Sequence, residues 1–271
     1  MIYLKSESEI EKMRESALIV SRTLGLVARY IEPGVSTARL NGIAEEFIEG
    51  EGGEPVFKGY GPKGNPFPAA LCISINEEVV HGIPSEDRVL DEGDIVSVDC
   101  GVVKNGYVGD HAYTFPVGEV DEESRRLLQV TRESLEKAID QAVHGNRVGD
   151  ISHAVQSHCE DAGFGVVRDL VGHGLGRSLH EDPSVPNFGR KGRGERLRSG
   201  MTLAIEPMIT AGSWKVRTLE DGWTVVTADG SRAAHFEHDV VIRDGEADIL
   251  STFDYIDGIA KRRINTEIAN G

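Results

Sequence analysis

The chain has 271 residues, 39% of them hydrophobic, enough for one large core or two fused halves. Its 45 acidic residues against 29 Lys and Arg give a formal net charge of −16, which argues against direct binding to nucleic acid or an anionic membrane. Three cysteines (Cys72, Cys100, Cys159) without CxxC spacing disfavour a disulfide framework, and neither a signal segment nor a run of about 18 apolar residues occurs, so a cytoplasmic protein without a transmembrane helix is expected.

Ser6 and Glu9 have the spacing of a capping box and open a helix. Ile10, Met13, Ala17, Val20, Leu24, Val27 and Ile31 continue it as one apolar stripe, until Pro33-Gly34 stops it. A second helix carries Leu40, Ile43, Ala44, Phe47 and Ile48 on one face and fades into the glycines at 50 to 53. The β-rich runs LCISIN, DIVSVDCGVV and YVGDHAYTF follow. Asn105-Gly106 between the last two is a strong signal for a two-residue hairpin turn. That turn sets Lys104 opposite Tyr107, Val103 opposite Val108 and Gly101 opposite Asp110. Asp99 and Asp110 then become diagonal neighbours on one face, roughly 7 Å or less apart at Cβ. Two carboxylates that close need a shared proton or cations between them, unless they lie on a solvated ribbon edge. Further on, helices are expected over about 121–143 and about 149–162, followed by strand runs VVRDLV, TLAIEPMIT, WTVVTA and HFEHDVVI.

The element order therefore recurs, and it recurs in register. At an offset of 111, Gly34 aligns with Gly145, Leu40 with Ile151 and Gly52 with Gly163. At an offset of 107, GDIVSVD aligns with GMTLAIE, setting Asp99 on Glu206. The expectation is an α+β chain of one domain, 1–271, built from pseudo-twofold halves of about 6–120 and 121–251. Helices lie outside, a curved antiparallel sheet inside, and the carboxylate-bearing strands meet near the axis.

Five residues of metal-ligand type stand out: Asp99, Asp110, His173, Glu206 and Glu237. His173 is either a core histidine or a ligand, and the flanking Gly172, Gly174 and Gly176 permit close backbone approach. Glu206 ends the apolar run TLAI, where an unpaired carboxylate is expensive. Glu237 precedes VVI and reads equally as a ligand or as a surface acid. Four carboxylates and one imidazole suit a pair of first-row divalent ions, Mn²⁺, Fe²⁺ or Co²⁺, rather than a structural zinc site.

The segments CISINEEVVHGIP, GDIVSVDCG, NGYVGDHAYTF, GHGLGRSLHEDP, AIEPMI, DGWTVVTADG and HFEHDVVI together resemble the type I methionine aminopeptidases, a group of the pita-bread metallopeptidases. The likeness runs through nearly all of residues 5–251 in family order. It implies the pita-bread fold and two divalent ions held by Asp99, Asp110, His173, Glu206 and Glu237. It further implies removal of the initiator methionine from nascent chains with a small second residue, by attack of a metal-activated water on the Met–X amide. Glu206 would shuttle the proton, His180 would steady the carbonyl oxygen and His81 would lie near the scissile amide. Tyr60, Cys72 and Trp223 match the methionine pocket. Phe57, Phe67 and Leu179 stand at pocket positions where cysteine, tyrosine and phenylalanine are frequent, and the loop at 61–66 (GPKGNP) is longer than the common pattern. The resemblance also implies a monomer with transient ribosome contact. A proline-directed peptidase with the same ligands ordinarily carries an additional N-terminal domain, for which this chain leaves no room; a non-catalytic binding module of this fold ordinarily loses ligands, and all five are present.

Overall fold

The computed structural model describes residues 2–259. Helix α1 (Glu7–Val27) starts where Ser6 N–H donates to Glu9 Oε2 at 3.0 Å. It stops four residues short of Ile31, because its last turn tightens into bonds from Arg29 N to Leu26 O and from Tyr30 N to Val27 O. Ile31 is still buried, beyond the helix end. Helix α2 (Thr37–Gly50) is capped by Ser36, whose hydroxyl accepts from Arg39 N at 3.2 Å. Strands β1 (Glu54–Pro55), β2 (Leu71–Ile75), β3 (Glu78–Val80), β4 (Ile95–Lys104) and β5 (Tyr107–Pro116) follow. Helices α3 (Glu122–Ile139) and α4 (Val148–Asp161) then precede ten short strands. These are β6 (Gly165–Val166), β7 (Val171–Gly174), β8 (Glu181–Pro186), β9 (Thr202–Ile205), β10 (Met208–Thr210), β11 (Val216–Thr218), β12 (Val225–Thr227), β13 (Ala233–His235), β14 (His238–Val241) and β15 (Asp248–Ile249).

All the paired strands run antiparallel. One sheet has the order β1-β4-β2 with β5 on the other side of β4, and a second has the order β15-β14-β9-β7-β8. Two smaller sheets, β13-β10-β6 and β11-β12-β3, join them. Helix α1 lies on the β4–β5 ribbon so closely that a Cβ at Gly109 would come within 2.3 Å of Ala17 N. Its buried stripe and the outer faces of the sheets make the core.

Three expected strands are broken. VVRDLV ends β6 at Val166 and does not pair again until β7 opens at Val171. TLAIEPMIT splits at Glu206-Pro207, because proline has no N–H to give a ladder. HFEHDVVI splits at Phe236-Glu237. The last two breaks face each other: β9 pairs with β14 on one side of them, and β10 with β13 on the other. The chain thus changes sheets twice at one corner. There Glu237 N–H donates across to Ala112 O of β5, at 3.0 Å. This corner carries Glu206 and Glu237 to the β4–β5 hairpin.

Candidate metal centre and substrate slot

The hairpin has the register its Asn-Gly turn implies, with Lys104 opposite Tyr107, Gly101 opposite Asp110 and Asp99 opposite Ala112. Asn105 and Gly106 both have positive φ, as such a turn requires. The carboxyls of Asp99 and Asp110 line one cavity, where burial first and then the charge of Asp110 raise the pKa of Asp99. From the other sheet, His173 on β7 brings Nε2 to 3.9 Å from Asp110 Oδ2 and 3.6 Å from Glu206 Oε1. His173 Nδ1 lies 3.0 Å from Gly174 O, which can only accept. Nδ1–H can therefore donate there while Nε2 is aimed at the carboxylates, the orientation of a metal-binding imidazole. One atom each from Asp110, His173 and Glu237 lies within 4.8 Å of the others, and Asp99 and Glu206 line the same cavity.

Burial is the largest reason that Asp99, Asp110 and Glu237 have pKa values well above the usual carboxylate range, and their mutual repulsion and the charge of Glu206 add to it. Asp99 Oδ1 and Glu237 Oε1 are buried without a hydrogen-bond partner. Buried polar atoms are rarely left so. A cluster of carboxylates with orphaned oxygens, facing an imidazole lone pair, fits divalent cations by charge and by donor type. A pH dependence follows. The unfolded chain releases these protons near pH 4, whereas the folded chain holds them to higher pH, so the metal-free protein loses stability as pH rises through that interval. A divalent ion needs the deprotonated ligands and acts in the opposite sense. Thermal unfolding with Mn²⁺ and with chelator, at about pH 5.5 and about pH 8, is expected to show the larger gain in Tm at the higher pH. An equal or smaller gain there would contradict cation binding by these carboxylates.

Every residue singled out above for a site lines one cavity. Of the histidines that line it, His180 is exposed and His81 is half-buried. His81 adopts φ 60°, a strained conformation for a residue with a side chain, and burial lowers its pKa. Burial first, then the neighbouring His173, pushes His180 down to about 4, so it is neutral near pH 7. Tyr60 OH meets His180 Nδ1 at 2.6 Å. The apolar wall is one packed cluster containing Phe57, Phe67, Cys72 and Leu179, with Trp223 against it. Gly101 makes room for it: a Cβ there would come within 2.8 Å of the Phe57 ring.

Sequence reasoning passed over His235, Asp239, Val80, Leu170, Val171 and Met208. His235 is buried, with Nε2 3.4 Å from Glu206 Oε2 and 4.0 Å from Glu237 Oε2. Asp239 is buried behind Asp110 and accepts its backbone N–H at 2.7 Å. A signal for both was present: positions 235, 237 and 239 alternate, as one face of an extended chain does. The four apolar residues line the cavity from β3, β7, β10 and the segment before β7, with no local mark to distinguish them from core.

Residues 11–244 match Metallopeptidase family M24. The chain is 54% identical over 251 residues to the methionine aminopeptidase of Clostridium acetobutylicum, covering 93% of this chain and 99% of that protein. It is 50% identical over 251 residues to methionine aminopeptidase 1 of Bacillus subtilis, with the same coverage of 93% and 99%. Among solved structures, the methionine aminopeptidase of Thermotoga maritima superposes with a TM-score of 0.90 at 50% identity, covering 93% of this chain and 100% of that one. An X-Pro aminopeptidase from the same organism shares the fold at 22% identity and a TM-score of 0.72, and 62% of it is covered.

Proposed function

The chain belongs to metallopeptidase family M24, and on that footing we propose that it is a methionine aminopeptidase that removes the initiator methionine from nascent proteins and peptides whose second residue is small. The observation that carries this reading is a cavity in which a carboxylate–imidazole cluster adjoins an apolar wall of Phe57, Phe67, Cys72 and Leu179. The cluster takes the metal and the wall takes the thioether side chain, with which aromatic rings make favourable contacts.

Asp99, Asp110, His173, Glu206 and Glu237 would hold two divalent ions, and Co²⁺, Mn²⁺ or Fe²⁺ suits this oxygen-rich set. Such ions, when bound, lower the pKa of a water and act as Lewis acids. The residues of the chain do the rest. Glu206 accepts the proton of the attacking water and delivers it to the leaving amine. Asp99 faces the α-amino group of the substrate. His180 is neutral and accepts the Tyr60 O–H at Nδ1, which leaves Nε2–H to donate to the developing oxyanion. His81 lies beside the scissile amide and narrows the exit, which restricts the second residue. The reading includes one catalytic domain of two related halves, acting as a cytoplasmic monomer. No helix among the described residues is long and apolar enough to cross a membrane. Transient ribosome contact is supported by a local exception to the acidic surface: Arg190, Lys191, Arg193, Arg196 and Arg198 are all exposed on one loop. Backbone bonds from Gly149 N to Arg193 O and from Leu197 N to Asn146 O tie that loop to the start of α4.

The test is release of methionine from a Met-Ala-Ser peptide, coupled to metal analysis of the protein and repeated after chelation. An X-Pro substrate in the same assay separates the proline-directed alternative. Leu179→Ala is expected to cost roughly 1–3 kcal/mol in kcat/KM for methionine, because it widens the slot and removes contacts to the thioether. Larger first residues should lose less, or gain. An unchanged ratio of methionine to phenylalanine cleavage would remove Leu179 from the pocket.

A further inference from the structure

We propose that the loop at 61–66 is a strap across the mouth of the slot, and that Asn65 is the positioning residue through which it fixes Trp223. The proposal rests on the reading of the slot as the site of the methionine side chain.

The loop is a closed unit. Gly59 N donates to Phe67 O and Phe67 N to Tyr60 O, both at 2.8 Å, so its two ends are pinned together, and Asn65 N turns back to Pro62 O at 3.0 Å. Phe57, Tyr60 and Phe67, all lining the slot, stand on this base. The opposite wall carries Trp223, on a turn far away in sequence. The strap grips that turn at two points. Trp223 Nε1–H donates to Asn65 O at 3.0 Å, and Asn65 Nδ2 donates to Asp221 O at 2.8 Å.

Glycine at two positions lets the surfaces meet. A Cβ at Gly61, where φ is 99°, would stand 2.4 Å from Trp223 Cη2, so the strap backbone lies against the indole. A Cβ at Gly222 would stand 2.8 Å from Asn65 Nδ2. The turn under the indole is itself stiff: the Asp221 carboxylate accepts from Trp223 N at 2.8 Å, Thr224 N at 2.9 Å and Thr224 Oγ1 at 2.6 Å. The far end of the turn is tied to β3, where Val225 pairs with Val80 and Thr224 Oγ1 donates to His81 O at 3.4 Å, so the end that carries the indole is the one the strap positions. The indole in turn meets Phe67 edge-on at 5.2 Å between centroids and faces His81 at 6.1 Å. The width of the slot between Phe67 and Trp223 therefore depends on two hydrogen bonds made by a residue that does not itself line the slot.

Asn65→Asp keeps the shape of the side chain, removes the donor and sets a carboxylate against the Asp221 carbonyl. Asn65→Ala removes the donor without adding charge. Both variants are to be compared with the unaltered chain in two ways. The first is solvent exchange of the Trp223 indole N–H by NMR, assigned in a Trp214→Phe background. The second is KM and kcat for Met-Ala-Ser. Faster indole exchange is expected in both variants, with KM raised about 3–10-fold and kcat within about twofold, the split expected when binding is lost without loss of the chemical step. Unchanged exchange, or faster exchange with unchanged KM, or a fall confined to kcat, in folded protein, would overturn the assignment. Absence of methionine release by the unaltered chain would instead overturn the reading of the slot, while the exchange measurement would still report on the strap.

Discussion

Glu206→Gln is expected to lower kcat by at least about 10³-fold, since acid–base work alone is worth roughly 10²–10⁴ and a ligand charge is lost with it. The side chain stands at the corner between β9 and β10, within 3.6 Å of His173 Nε2 and 3.4 Å of His235 Nε2. Its backbone is held independently, by Asn187 Nδ2 donating to Glu206 O at 2.9 Å. Glutamine has the same shape, so the corner should survive the change. Methionine release and circular dichroism on the same preparation check this. Near-normal turnover by a folded variant would take the proton shuttle away from Glu206.

His180→Ala is expected to lower kcat by about 10²–10³-fold, the range for loss of one donor to an oxyanion. Bound metal should hardly change. The His180 ring lies 4.3 Å from that of His173, close enough to serve the same substrate atom, yet it is His173 that stands in the tight group with Asp110 and Glu237. Metal content and kcat measured on one preparation separate the two roles. Loss of metal from folded protein would place His180 among the ligands. The pH profile adds a second check. His180 is held at about 4, so protonating it below neutrality should not set the acid limb of activity until near that value.

Much of the site was legible because local rules governed it. The Asn105-Gly106 turn decides the register of β4 against β5, and hence the juxtaposition of Asp99 and Asp110, with no help from the rest of the chain. The cap at Ser6 and the stripe from Ile10 to Val27 likewise act over three or four residues at a time. Pro207 lies inside a run read as one strand, although a proline has no N–H to give the ladder there. What the break at that point was for could not be read locally. The matching break at Phe236-Glu237 carries no proline, and it arises because β14 and β13 follow β9 and β10 into different sheets.

The sequence by itself thus determined the hairpin and the main helices, and family likeness marked five ligand-type residues and a slot as candidates. Tertiary structure alone decided how far apart the acids stand, that His235 and Asp239 are buried among them, and that Asn65 reaches a tryptophan 158 positions away. The division has a physical cause. Turns, caps and periodicity are set by neighbours along the chain, whose entropy of approach is small. A contact between residues more than a hundred positions apart forms only when sheets and loops have packed, so its geometry belongs to the packing and leaves no mark in either segment taken singly.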